Sequence, residues 1–189
     1  MVYDIKIIPL NEFYLKQTIK LVKSIFKYEK ESVSLELKAS VDNDEFNKYL
    51  LYEDNNIRTL EYFIAINNKG KILGVVGLYS LNDDYIDTYW LGWFCVAKDE
   101  RGKGIGKILL EYVINEARVR QRKYLKLYTS TYKDEAAAQK LYDKYDFFIT
   151  AIFKGKYEKI LYRKKNIVKE VVLTVKVYKK DKVLVKGKT

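Results

Sequence analysis

Trp93, Phe94, Cys95 and Val96 form an apolar, β-prone run that passes through a short charged turn into Arg101-Gly102-Lys103-Gly104-Ile105-Gly106, and from there into a helical pattern. A strand entering a helix through a glycine-rich turn is suited to holding phosphate. Glycine lets the backbone adopt φ > 0 and come close to a ligand, the first amides of the helix lack intrahelical partners, and the helix dipole favours an anion there. Spacing excludes two common phosphate loops. A dinucleotide-binding turn using Gly102 and Gly104 needs its third glycine at 107, where Lys107 stands. A nucleotide P-loop needs Lys and then Ser or Thr after its last glycine, but Lys107 and Ile108 follow Gly106.

Other chemistries are excluded by residue type. The chain has no histidine and one cysteine, Cys95, so Ser-His-Asp and Cys-His catalysis, His-ligated zinc and an intramolecular disulfide are all ruled out. With no base to activate it, Cys95 reads as a small buried hydrophobe rather than a nucleophile.

What remains, Arg101-x-x-Gly104-x-Gly106 between a strand and a helix, resembles the acyl-CoA pyrophosphate loop of the GNAT superfamily of N-acetyltransferases. The resemblance implies acetyl-CoA as cosubstrate, an amine as acceptor, no metal, and direct attack of the amine on the thioester. It implies that the backbone of Arg101, Gly102, Lys103, Gly104, Ile105, Gly106 and Lys107 wraps the pyrophosphate. The Arg101, Lys103 and Lys107 side chains would add positive charge. It implies further that the strand carrying Phe94, Cys95 and Val96 splays from its neighbour at a bulge and pairs with the pantetheine arm. Nine residues before Gly104, the amide of Cys95 is expected to hold the thioester carbonyl, an oxyanion-stabilising role worth roughly 3–4 kcal/mol in well-studied sites.

Ala138-Gln139-Lys140-Leu141-Tyr142, followed by Asp146-Phe147, looks like the second motif of that family, A-x-x-L-Y and then G-F. Tyr142 is thereby expected near the CoA sulfur as the acid for the departing thiolate, a role that typically contributes about 10²–10⁴-fold. Two residues depart from the pattern: Asp146 stands in place of the usual glycine, and Glu135 in place of an asparagine seven residues before the tyrosine. A third concerns the general base, because Leu91 occupies the position where some members carry a glutamate. Asp83, Asp84 and Asp87 lie just upstream and read either as loop charges or as bases acting directly or through water. Asp42, Asp44, Glu45, Glu53 and Asp54 join them as an acidic rim that would attract a cationic amine, or else as ordinary surface charge. The alternative to an enzyme is a catalytically weak scaffold that binds CoA as a sensor or protein-interaction module.

The elements that must position these residues follow from periodicity. At 189 residues, with 48% hydrophobic and 15% aromatic content, one globular domain with a real core is expected. Strands are expected over 2–8, 61–66, 72–81, 88–96, 124–129, 147–153 and 159–163. Asn67-Asn68-Lys69-Gly70 makes a hairpin turn between the second and third. Helices are expected from Asn11 to about 26, from Asp42 through Leu50, from 105 to near 122 with Ile105, Leu109, Tyr112, Val113 and Ala117 on one face, and over 136–145. The result is an α/β (α+β) fold with a mixed, mostly antiparallel central sheet flanked by helices, and the GNAT resemblance covers roughly residues 3–165.

Net charge is +11, distributed as −3 over residues 1–99, +4 over 100–153 and +10 over 154–189. The excess sits in the tail, where within residues 166–189 the stretches 171–177 and 183–185, around Lys179-Lys180-Asp181-Lys182, alternate Val with Lys and suggest a basic C-terminal β-hairpin beyond the domain at 1–165. A solvated edge hairpin guarded by lysines is the favoured account. Contact with nucleic acid or an acidic protein is the other, and no zinc-finger spacing or RNA-binding aromatic motif supports it. There is no signal-like start and no run of ~18 apolar residues, so a cytoplasmic protein without membrane contact is expected. The acceptor and the oligomeric state are not assigned by the sequence.

Overall fold

The computed structural model describes residues 4–27, 29–53, 56–155 and 158–167. Its centre is an eight-stranded sheet. The strands are β1 (Lys6–Pro9), β2 (Ile57–Ile66), β3 (Ile72–Leu81), β4 (Thr88–Leu91), β5 (Cys95–Val96), β6 (Tyr124–Ser130), β7 (Phe148–Lys154) and β8 (Lys159–Asn166). They lie in the order β1-β2-β3-β4-β6-β8-β7, with β5 paired to β3 alone. Every pairing is antiparallel except β4 with β6. The mixed, mostly antiparallel sheet is as the sequence implies.

Each face of the sheet has its own core. On one face, α4 (Ile105–Val119) and α5 (Ala136–Lys144) bury Ile105, Leu109, Val113, Ala117 and Tyr142 against Leu73, Leu78, Leu125 and Leu127. Tyr112, on the edge of that helical stripe, is only half-buried and packs edge-on against Phe63. On the other face, α1 (Glu12–Ile25), α2 (Lys30–Ala39) and α3 (Asn43–Glu53) bury Val22, Val33, Leu37 and Tyr49 against Tyr62, Ile64 and Val75. A buried aliphatic side chain of this kind contributes about 1.5–3 kcal/mol, so each face is held by several. The caps are local: Asn11 Oδ1 accepts the Tyr14 amide at 3.3 Å, and Asp42 Oδ1 accepts the Glu45 amide at 2.8 Å.

Three differences from the expected elements matter. The helix α2 was not foreseen, because Val33, Leu35 and Leu37 alternate in sequence like a strand and hide the i, i+4 pair, Val33 and Leu37, that it buries. The strand expected over 88–96 is two strands, β4 and β5, separated by Gly92-Trp93-Phe94. The second strand begins at Ile57 rather than 61, and the last runs on to Asn166. The proposed hairpin of the tail lies outside the described residues.

Candidate active site

The break between β4 and β5 comes from one side chain. Leu78 pairs with Leu91 and Val75 with Cys95, so the second strand carries one residue more than its partner across this stretch, a β-bulge. Tyr62, from β2, lies under it. A Cβ at Gly77 would fall 2.5 Å from the Tyr62 ring, and one at Gly92 would fall 2.6 Å from its hydroxyl, so both positions must be glycine for the ring to fit. The hydroxyl accepts the Trp93 amide at 3.0 Å, supplying the partner that the bulge removes, and donates to Glu36 Oε1 of α2 at 2.5 Å.

Beyond the bulge the sheet opens. Thr88, Tyr89 and Trp90 of β4 pair with Tyr124, Leu125 and Lys126 of β6, whereas β5 has no partner on that side among the described residues. The parity of the β3–β5 ladder sets which amides face the opening. Gly77 N–H donates to Trp93 O at 3.1 Å and Ala97 N–H to Leu73 O at 2.9 Å. Bonded positions alternate along an antiparallel ladder. Cys95, between these two and opposite Val75, therefore turns its amide towards β3, and the amides of Phe94 and Val96 face the gap. The sequence count expects that donor at Cys95, whereas the amides turned to the gap are those of its two neighbours. The Cys95 thiol is buried, which pushes its pKa up to about 12 and keeps it protonated.

Across the gap, the end of β6 is closed by its own surroundings. Glu135 accepts the Ser130 amide at 3.0 Å and the hydroxyls of Thr129 and Ser130, and Gln139 Nε2 donates to Ser130 O at 2.9 Å. Glu135, in place of the expected asparagine, is thus committed to β6. The open backbone groups belong to β5.

The glycine turn follows. Gly102 and Gly104 have φ of 78° and 83°, and an added Cβ at either would meet nothing within 4 Å. Among the described residues, the amides of Gly102, Gly104, Ile105, Gly106 and Lys107 donate no hydrogen bond. A Cβ added at Gly106 would meet Val96, Phe94 and Leu141 at 3.6–3.8 Å, so the start of α4 lies close to both β5 and α5. The basic side chains contribute less freely than the sequence suggests. Lys103 Nζ is held by buried Glu100 at 2.8 Å, Lys71 Nζ reaches Glu100 at 2.6 Å and Asp99 at 2.5 Å, and Lys107 lies 3.8 Å from Glu111. Glu100 thereby ties the turn to the β2–β3 hairpin. Arg101 Nε donates to Val96 O at 3.4 Å, within the opening.

Tyr142 stands beside this turn on α5. It is 5% exposed, with its ring 6.3 Å from Phe94 and 5.7 Å from Phe147, and its hydroxyl has no hydrogen-bond partner among the described residues. Burial, and then the charge of Glu135, hold its pKa well above the usual phenol value, against a smaller opposing effect of Arg163. The phenol therefore keeps its proton at neutral pH. Arg163, 5% exposed, fixes α5 from below by donating to Asp143 Oδ1 at 2.7 Å and Phe147 O at 2.8 Å. Asp146 has φ of 59°, the left-handed conformation that glycine adopts most easily, so the turn of the family pattern survives the substitution.

The upstream carboxylates all have partners. Asp83 accepts from Asn56 at 2.6 Å, Asp84 from Lys126 at 2.9 Å and from the Trp90 indole, and Asp87 lies 3.8 Å from Lys123. Leu91 is buried in the core. Within the acidic rim, Asp42 caps α3 and Glu45 pairs with Lys48 at 2.7 Å. Glu36, which reaches the bulge through Tyr62, was missed along with its helix. The signal that could have found it is the polar position between Val33 and Leu37 on a helix facing the sheet.

A model of the Acetyltransferase (GNAT) family matches residues 24–147, more than half of the chain. Solved structures share the fold. An acetyltransferase of the GNAT family from Staphylococcus aureus is 25% identical, covering 87% of this chain and 99% of its own, with a TM-score of 0.59. The aminoglycoside 6'-N-acetyltransferase from Enterococcus faecium is 14% identical, covering 87% and 98%, with a TM-score of 0.66. A spermidine N-acetyltransferase chimera from Vibrio cholerae is 15% identical, covering 86% and 95%, with a TM-score of 0.62. No curated protein matches the chain by sequence. Among the described residues no helix is long and apolar enough to cross a membrane, and no group of three or more His, Cys, Asp or Glu could hold a metal ion.

Proposed function

The chain belongs to the GNAT acetyltransferase family, and on that premise we propose that it transfers the acetyl group of acetyl-CoA to a primary amine by direct attack. The observation that carries this reading is the opening beside β5, where the amides of Phe94 and Val96 face outwards next to a turn of five undonated amides. Those turn amides, from Gly102 to Lys107, have the chemistry for a diphosphate, assisted by the dipole of α4 and by Arg101. The amides of Phe94 and Val96 suit an extended amide-bearing arm, and whichever faces the thioester carbonyl stabilises the charge that develops there. The amine nitrogen forms a bond to the acetyl carbon, the carbon–sulfur bond breaks, and the amine loses a proton to water. The Tyr142 hydroxyl gives its proton to the leaving sulfur and regains one from solvent. Holding amine and thioester together is worth up to ~7–11 kcal/mol in ideal cases, so the chemistry does not require a carboxylate at the position of Leu91.

Calorimetry with acetyl-CoA, followed by mass detection of acetylated amines from a mixed panel, tests the proposal. Binding with a mass gain of one acetyl group is expected; no binding at millimolar acetyl-CoA would refute it. The buried Leu91 favours a second reading, a CoA-binding scaffold without transferase activity. Tight CoA binding with no acetylated product across the panel would select it.

A further inference from the structure

The face of the sheet opposite Tyr142 is only partly covered. Over β1–β3 it is packed by α1–α3, but over β4, β6 and β8 it carries a run of aromatic rings. Tyr79 stacks on Trp90 at 6.3 Å, Trp90 meets Tyr162 edge-on at 6.4 Å, and Tyr162 lies 5.9 Å from Tyr128. Tyr128 is 57% exposed, and Tyr79, Trp90 and Tyr162 are half-buried. The Tyr62 hydroxyl that holds Glu36 lies against Gly77 and Gly92, two residues before Tyr79 on β3 and two after Trp90 on β4, so the Glu36 carboxylate sits at the end of this wall and two hydrogen bonds from the bulge. Its charge reaches the wall: after burial, it is among the causes that raise the pKa of Tyr79 and of Tyr128. The wall also seats an ammonium of its own. Lys126 Nζ lies 5.2 Å from the centre of the Trp90 ring and 2.9 Å from Asp84, a cation held between an aromatic face and a carboxylate.

We propose that Glu36, with Tyr79 and Tyr128, forms a subsite for a second ammonium group of the acceptor, so that the preferred acceptors are alkylamines with two or more amino groups. The proposal rests on the transferase reading above and narrows it. The attacking nitrogen must be neutral to use its lone pair, so a charge held at Glu36 belongs to a different nitrogen of the same molecule. A carboxylate gives that nitrogen its counter-charge, and phenol rings cover the methylene chain leading from it towards the gap.

The test is binding of spermidine and of butylamine to the full chain, with and without saturating CoA, in the wild type, Glu36→Gln and Tyr128→Leu. Glutamine keeps an oxygen for the Tyr62 hydroxyl and removes only the charge. Expected are a tenfold or greater loss of spermidine affinity in Glu36→Gln, a loss of about threefold in Tyr128→Leu, and less than a twofold change for butylamine. CoA affinity stays the same throughout. Equal spermidine affinity in wild type and Glu36→Gln, equal losses for both amines, or no spermidine binding to the wild type would each overturn the inference. Failure of CoA to bind would instead refute the transferase reading, while the titrations without CoA still decide the role of Glu36.

Discussion

The two faces of the sheet are built by different means. On the face under α4 and α5, the groups proposed for the cosubstrate are mostly main-chain amides, at Phe94, Val96 and from Gly102 to Lys107, and the side chains near them serve to fix the backbone: Glu100 anchors the turn and Arg163 anchors α5. On the face under α1–α3, the exposed chemistry is in side chains, with Glu36, Tyr79, Trp90 and Tyr128 presented by four separate elements. Backbone donors suit a ligand whose recognised parts, a diphosphate and a chain of amides, are the same in every reaction. Side chains can be exchanged without rebuilding the sheet, which suits the surface that selects a particular acceptor. Tyr62 joins the two, since its hydroxyl bonds a bulge amide on one side and Glu36 on the other.

This division can be broken or sharpened by substitution. The largest effect is expected from Tyr142→Phe, which keeps the ring against Phe94 and Phe147 and removes the proton. Turnover should fall about 10²-fold or more with acetyl-CoA affinity nearly unchanged, as steady-state kinetics and calorimetry would show. Equal turnover would remove the acid from the mechanism. Next is Tyr62→Phe, which leaves the Trp93 amide without its acceptor inside the protein. A loss of about 1–3 kcal/mol is expected in a denaturant melt, together with weaker binding on both faces. Loss of acceptor binding alone would show that the faces are independent at the bulge.

Gly104→Val should weaken acetyl-CoA binding by about tenfold, close to 1.4 kcal/mol, because a β-branched residue resists the φ of 83°. It should leave spermidine binding without CoA untouched, which is the sharpest test of the division. Asp146→Gly should raise stability by up to about 1 kcal/mol by relieving the left-handed turn, with no change in either ligand's affinity. The smallest effect belongs to Cys95→Ala. Burial pushes the thiol up to about 12, so the folded chain keeps a proton that the unfolded chain gives up near pH 9. Stability from this source is complete below pH 9 and declines above it, and the substitution should lessen the loss measured between pH 9 and 10. Turnover at pH 8 should stay within about twofold of the wild type, since the thiol takes no part in the chemistry.

Legibility from sequence followed the same division. The turn from Arg101 to Gly106, the helical face of α4 and the caps at Asn11 and Asp42 are local patterns, and each stands where its spacing placed it. The amides turned to the gap are those of Phe94 and Val96 and not that of Cys95, because a bulge changes the parity of every residue after it. That bulge is made by Tyr62, about thirty residues away in sequence. The sequence names the basic residues around the turn but not their partners Glu100 and Glu111. Glu36 was invisible for two reasons: its helix alternates like a strand, and its neighbours on the wall come from β3, β4 and β6.

The sequence by itself determined where the chain turns and where a helix begins with its amides exposed, because these depend on backbone conformation and spacing within a few residues. Only the tertiary structure decided which amides of the central strand face the opening, and that Glu36 reaches the bulge through Tyr62. Those depend on strand pairing and on a ring packed beneath two glycines, contacts between distant segments whose geometry no local pattern encodes.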